Sequence, residues 1–381
     1  MYVTRPLSQL LKFPESLTAQ PEGPNSGYLV IQDEESETYS CFGYCKNRTL
    51  KKLPFPQNKE LTVRYIQSSG ESVDVSLDPV FLIPVLNQPL SSNRYYAVVP
   101  HGKRKGEAFT CSREEDKTTC CFCRCVKDSK PKPLDPDNIY QQFHILPCQG
   151  FCSCRGTFLA TSTAPDGFPP YFLRREGWSI YTKTPKHFKL ELTAQGLDSK
   201  LRACFPDSDL SQSSVVGKWY CPFLFVKEGT LKDQMTKSMY YEVTLEQRWE
   251  QIFTCQRKNN NDHDSVVVDT LIEKEEAFVG GIKASWTEKD GVVWFASNGG
   301  GMSVGLRMEV VERMKWEQER GGWVGGKERK VKISKEFKGS GDWGVFGCYV
   351  LVERFNLRRM DGSLVMCYDF KHFDVMKTKW E

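Results

Sequence analysis

From Phe346 to Arg359 the chain is apolar and aromatic-rich, Asp361-Gly362 follows, and Leu364, Met366, Tyr368 and Phe370 then resume an every-other-residue pattern. An Asp-Gly pair supplies the positive φ of a tight hairpin turn, and apolar runs on both sides of it make two long antiparallel strands. Strands of ten or more residues exceed the usual five or six, so this stretch narrows the fold more than any other. Tyr241 to Phe253 passes the same test. Tyr241, Val243, Leu245, Gln247, Trp249, Gln251 and Phe253 fall on one side, and the positions between them are polar apart from Ile252. In Val304 to Trp316, Val304, Leu306, Met308, Val310, Met314 and Trp316 alternate, with Glu312 interrupting. Leu306, Val310 and Met314 also suit a helix, but alternation matches more positions, so a strand is expected there.

The first half is cut into short pieces by proline and glycine, as in Pro54-Phe55-Pro56 and the run Lys130 to Pro136. Strands are expected at Tyr28 to Gln32, Leu61 to Gln67, Val80 to Leu86 and Tyr95 to Val99, and helices are few, with Pro136 to Phe143 and Leu231 to Met239 the best candidates. The fold expected is mainly β: antiparallel sheets, sandwich-like, with long C-terminal hairpins and few short helices. The cysteine- and proline-rich stretch near 127–156 and the polar loop Lys258 to Asp264 mark boundaries. They give an N-terminal β-rich domain with a cysteine-rich segment (1–147), a middle β-rich region (156–257) and a C-terminal long-hairpin domain (265–381).

A 39% hydrophobic fraction supplies ample core, and the net charge is only +4, from 52 basic and 48 acidic residues. The two signs are interleaved, as in Glu309 to Glu319, which argues against a chain built to track phosphates in nucleic acid. Met1 to Pro14 lacks the apolar core of a secretory signal, and no later run reaches the length of a membrane span. The expected setting is the cytoplasm, with peripheral membrane association available through lipid modification.

Eight of the fifteen cysteines (Cys111, Cys120, Cys121, Cys123, Cys125, Cys148, Cys152 and Cys154) crowd between positions 111 and 154. In a reducing compartment these are thiols, metal ligands or modification sites. Three readings compete. The pairs Cys120/Cys123 and Cys148/Cys152 offer four thiolates to a zinc ion from two turns. Cys120, Cys121, Cys123 and Cys125, set beside Phe122, Arg124 and Lys127, form a setting for S-acylation. Against both, Cys121, Cys123 and Cys125 alternate, and on a strand they share one face as ordinary free thiols.

Gly321 to Lys327 nearly spells a phosphate-binding loop. Glu328 stands where Ser or Thr must hold Mg²⁺, so a glycine-rich connection between two strands is expected instead. His101-Gly102-Lys103-Arg104-Lys105-Gly106 could cradle an anion, but a solvated hairpin tip is the simpler reading. No serine, cysteine or carboxylate pair sits in a nucleophile or acid–base motif, so no enzyme activity and no cofactor other than zinc is expected.

Long strings resemble a plant-specific family known only as domain of unknown function 1262. They include Met1 to Ser8, Glu22 to Glu35, Asn87 to Tyr96, Ala164 to Arg175, Gly217 to Phe223 and Met314 to Arg320. The resemblance implies a plant origin and carries no activity or site residues; some members bear a label likening them to insecticidal crystal toxins. The function expected is a non-enzymatic interaction protein, tied to plant stress or defence, that binds a protein, lipid or glycan. The alternatives are a membrane-acting defence protein of the aerolysin or crystal-toxin kind, motivated by the long hairpins, and an enzyme of unrecognised type.

Overall fold

The structure is a computed structural model that describes residues 1–40, 45–70, 72–120, 123–148, 156–257, 265–326, 328–339 and 342–381. It is mainly β, with antiparallel sheets and few short helices. The chain divides into two compact units: unit 1 is Met1–Ala194 with Tyr220–Tyr240, and unit 2 is Gln195–Trp219 with Tyr241–Glu381.

Unit 1 is built on a seven-stranded antiparallel sheet. Its order is Phe158–Ser162, Gln142–Pro147, Arg94–Val98, Ser72–Pro84, Glu60–Ser69, Ser179–Lys183 and Thr49–Leu50. Phe55, Tyr95, Phe143, Phe158, Trp178 and Ile180 fill its core, with Phe158 5.0 Å from Phe55 and 5.4 Å from Trp178, centroid to centroid. Separately, Tyr2–Pro6 pairs in parallel with Gly27–Ile31 and runs straight into the helix Leu7–Lys12. Leu7 and Leu10 of that helix bury against Tyr28, Val30 and Leu90. The four strands read from the sequence are all present, that at Val80 beginning earlier and ending at Pro84. Leu231–Lys237 is helical, and the Thr230 hydroxyl accepts from the Asp233 amide at 3.2 Å as its cap.

Pro136 to Phe143 is not the helix expected. One 3₁₀ turn, Ile139–Gln141, follows the Asn138 cap, and Gln142–Pro147 is already strand. The aromatic and branched residues Phe143 and Ile145, fully buried in the sheet, outweigh the local start signal.

In unit 2 three long strands lie side by side. Tyr240–Gln256 runs antiparallel to Val345–Arg359, which runs antiparallel to Leu364–Trp380. The hairpin turns where expected: Gly362 has φ +84°, and its amide donates to the Arg359 carbonyl at 2.9 Å. The sheet continues from Leu364–Trp380 through Glu275–Val279, Ile282–Lys289 and Val292–Ser297 to Ser303–Arg307. A separate ribbon pairs Ser265–Glu273 with Lys330–Lys338. Its Val266, Val268, Ile272 and Ile333 pack on Phe346 and Cys348 near the far end of the long strands.

Val304 to Trp316 corrects the expected strand. The strand stops at Arg307, and Met308–Arg320 is an α-helix. Val310, Val311, Arg313, Met314, Glu317 and Gln318 are the positions it buries, a three-to-four spacing that the rival alternation masks. The glycine-rich stretch beginning at Gly321 therefore leads from helix to strand, not from strand to strand.

Candidate functional site

The long strands of unit 2 set the floor of the site. Register places Gln247 opposite Glu353 and Glu353 opposite Phe370, while Leu351 stands between Trp249 and His372. Because side chains alternate, Gln247, Trp249, Leu351, Glu353 and His372 share one face. Between the pairs Leu351/His372 and Val350/Met376 the ladder slips, leaving Phe373, Asp374 and Val375 as extra residues on one strand. Such an irregularity bends the strand and re-aims nearby side chains; here it sets Val375 in the wall of the cleft.

Two helices carry the opposing groups. Asp198 caps Ser199–Cys204 by accepting from the Leu201 amide at 2.9 Å, and that short helix presents Arg202. The helix Met308–Arg320 presents Arg313, Glu317, Gln318 and Arg320. Arg202 meets Glu353 in a two-pronged pair, Nε to Oε1 at 2.8 Å and Nη2 to Oε2 at 2.6 Å. Nη2 also donates to the Glu317 carbonyl at 3.0 Å, satisfying one of the last carbonyls of the helix. Gln247 Nε2 donates to Glu353 Oε1 at 2.8 Å, and His372 Nε2 lies 3.0 Å from Gln318 Oε1. The Glu317 carboxylate, fully buried, has Arg313 at 2.9 Å and both Arg202 and Arg320 at 3.8 Å. These are charge contacts: neither Glu317 oxygen makes a well-aligned hydrogen bond among the described residues.

Glu353 is 1% exposed. Burial alone would push its carboxyl up; the His372 ring 3.7 Å away and, at far closer range, the Arg202 guanidinium outweigh that and hold it at about 2. It is a fixed carboxylate at neutral pH. Around this pair opens a cleft of about 340 Å³, lined by Arg202, Gln247, Arg320 and Glu353 with Leu351 and Val375 among its apolar walls. Gln247 is 1% exposed, and its Oε1 has no hydrogen-bond partner among the described residues. A buried, unpaired carbonyl in a cleft wall is an acceptor awaiting a donor.

The cysteine cluster lies in unit 1. Lys117–Cys120 and Cys123–Val126 form a small antiparallel hairpin whose register sets Cys123 opposite Cys120 and Cys125 opposite Thr118. The side chains of Cys120 and Cys123 lie outside what the structure describes, as do Cys121, Cys152 and Cys154 altogether. Of the rest, Cys125 is an exposed free thiol, Cys148 is half-buried, and Cys111 is buried, which pushes its thiol up to about 11. Among the described residues no group of three or more metal-ligating side chains gathers. The loop at His101 is a turn, with Lys105 donating to the Thr236 hydroxyl at 2.8 Å. Gly321 stands at the C-terminal end of its helix, where backbone carbonyls rather than amides are presented, the reverse of a phosphate loop.

None of the cleft's polar side chains stands out in the sequence as a site residue, and Gly321, which also lines the cleft, stands out there only as part of a glycine-rich connection. The signals were there: Gln247 is a polar residue on the inward face of an alternating strand, and Glu353 a charge inside an apolar run.

Residues 22–122 match the family described as "Protein of unknown function (DUF1262)". That stretch falls wholly in unit 1. No curated protein matches the chain. Among solved structures it is similar to the one titled "Crystal structure of Cry35Ab1", with a TM-score of 0.44 and 13% sequence identity over 86% of this chain and 90% of that one.

Proposed function

We propose that this protein is a non-enzymatic binding protein whose unit 2 cleft holds a small ligand presenting hydroxyl donors, a glycan or the polar head of a lipid. The carrying observation is the buried Gln247 carbonyl, which lines the cleft and has no hydrogen-bond partner among the described residues. The cleft volume of about 340 Å³ suits a small molecule. Glu353 supports binding over catalysis. Held at about 2, it is too weak a base for proton transfer near neutrality, and its oxygens are occupied by Arg202 and Gln247. The free thiols Cys111, Cys348 and Cys367, all buried, are consistent with a reducing, cytoplasmic setting.

Glycan and lipid arrays probed with the whole chain test this reading. A hit should weaken about tenfold in a Gln247→Leu variant, the worth of one good hydrogen bond. Arrays without a hit, or a hit indifferent to Gln247, remove the assignment.

A second reading, a membrane-acting protein, is supported by the ribbon. One face of the Ser265–Glu273/Lys330–Lys338 pair carries Val266, Val268, Ile272, Val331, Ile333 and Phe337, interrupted by Thr270 and Lys335, and the other carries Asp269, Lys330, Lys332, Glu336 and Lys338 with Val267 and Leu271 among them. Nine residues per strand with one mostly apolar face approach what a tilted strand needs to cross a bilayer. Dye-loaded vesicles of phosphatidylcholine and phosphatidylserine should then leak on adding protein; vesicles that stay sealed at neutral and acid pH eliminate it.

A further inference from the structure

We propose that unit 1 carries a second, independent binding site, for a phosphorylated polyol, in the cleft between the helix Leu7–Lys12 and residues Asn47 to Lys52. The cleft measures about 320 Å³. Its apolar side is leucine: Leu7 is buried at 5% exposure, Leu50 is half-buried, and Leu11 stands 41% exposed at the rim. Its polar side consists of the hydroxyls of Ser36, Thr38 and Thr49 and the amides of Gln32 and Asn47. Asn47 Oδ1 accepts from the Thr49 amide at 2.9 Å, which orients the side chain and turns its NH₂ group away from that bond.

Charge decides the ligand class. Lys51 and Lys52 line the cleft, both exposed, no carboxylate lines it with them, and neither lysine has an ion-pair partner among the described residues. Of the neighbouring acids, Glu34 makes no bond to either lysine among the described residues, and the others are committed elsewhere. Asp33 accepts from the amide and hydroxyl of Ser8, Glu35 pairs with Lys12 at 2.6 Å, and Glu37 pairs with Lys46 and with Lys59. Two uncompensated ammonium groups beside a ring of hydroxyls and amides fit an anion.

Gln32 sharpens the class further. Its side chain is 9% exposed, and its Oε1 has no hydrogen-bond partner among the described residues. An acceptor needs a donor, and a bare anion offers none. A head group that joins phosphate to hydroxyls satisfies both the lysines and Gln32, and the leucine wall accepts the carbon skeleton or acyl chain beside it. This chemistry belongs equally to a free polyol phosphate and to an inositol lipid.

The test has two arms on the full chain. Inositol 1-phosphate is titrated calorimetrically, and flotation is measured with phosphatidylcholine vesicles made with and without phosphatidylinositol. Binding in the soluble arm assigns a free metabolite; flotation that requires phosphatidylinositol, without soluble binding, assigns the lipid. In either case the double variant Lys51→Glu/Lys52→Glu should lose at least about tenfold in affinity, each lysine near an anionic surface being worth roughly fivefold before repulsion is added. Both positions are exposed, so the variant's unaltered melting transition controls for folding. Gln247→Leu should leave this binding unchanged. Silence in both arms, or binding that survives the double variant, overturns the proposal.

Discussion

In unit 1 the buried polar side chains are all neutral: Thr4, Ser26, Gln57, Gln141, Gln142 and Gln234 are typical, and no buried Asp, Glu, Lys, Arg or His occurs among its described residues. In unit 2 Arg313, Glu317, Glu353, Asp369, Lys371 and His372 are all buried. The backbones explain the difference. Unit 1 is broken by proline into short strands and turns, so main-chain groups are left over and amide side chains satisfy them. Gln57 Nε2 donates to the Phe55 and Leu82 carbonyls, and Gln142 Nε2 to that of Pro136. Unit 2's long ladders satisfy their own backbone, so its polar side chains pair with one another. On one face Asp369 takes a two-pronged bond from Arg354, 2.6 and 2.7 Å, and a third from Arg248 at 3.0 Å, while Lys371 bridges Glu250 and Glu276, each at 2.6 Å. On the other lies the Arg202–Glu353 pair. The neutral solution is indifferent to pH; the ionic one is not.

The largest effect that separates the two units is a change of one atom type. Glu353→Gln leaves Arg202 next to a neutral amide, and breaking a buried pair costs about 3–5 kcal/mol. Trp178→Ala in unit 1 should cost a similar amount, about 3–5 kcal/mol, by opening a cavity. Acid distinguishes them. Glu353 binds its proton near 2 in the folded protein against an ordinary 4.5. A depressed folded value gives stability that is present above the unfolded one and is lost as pH falls from about 4.5 toward 2, in all about 3 kcal/mol. Denaturant midpoints across that window should therefore fall for the wild type and for Trp178→Ala. They should be much flatter for Glu353→Gln, whose residual slope comes from such groups as Glu276 and the half-exposed Asp33, both also lowered. A Glu353→Gln protein that keeps the full slope breaks the comparison.

How much of this could be read in advance differs by region for the same physical reason. Tyr241 to Phe253 was legible because one of its faces is buried along most of its length, and the Asp361-Gly362 turn was legible because its chemistry is local. Met308–Arg320 was not, because Leu306, Val310 and Met314 satisfied both periods and only the sheet beneath chose between them. The ribbon is not legible in the sequence because Ser265–Glu273 finds its partner across the whole meander and helix that separate it from Lys330–Lys338. The cleft is the extreme case: Arg202 and Glu353 stand 151 residues apart, so the odd charge in an apolar run was visible while the side chain that explains it was not. The polar chemistry of Asn47 to Lys52 was hidden likewise, since Leu7 and Leu11 complete that cleft from the chain's first helix.

The smaller and sharper test of the ionic solution is Gly321→Ala. Gly321 has φ −82°, a value any residue adopts, so the substitution strains no backbone. What forbids a side chain is Arg202: a Cβ on Gly321 would land on its Nη2, the nitrogen that serves both Glu353 and the Glu317 carbonyl. Alanine must displace the guanidinium and loosen both bonds, at a cost of about 1–3 kcal/mol. In an Arg202→Ala background nothing stands in the way, and the same substitution should become neutral or stabilise by about 0.4–1 kcal/mol, because alanine restricts the unfolded chain. The two changes are therefore coupled, and their double-mutant cycle should return an interaction energy of about 1–4 kcal/mol rather than the zero of simple addition. If Gly321→Ala costs the same with and without Arg202, the guanidinium is not held where Glu353 and the helix end require it, and the ionic account of unit 2 loses its central contact.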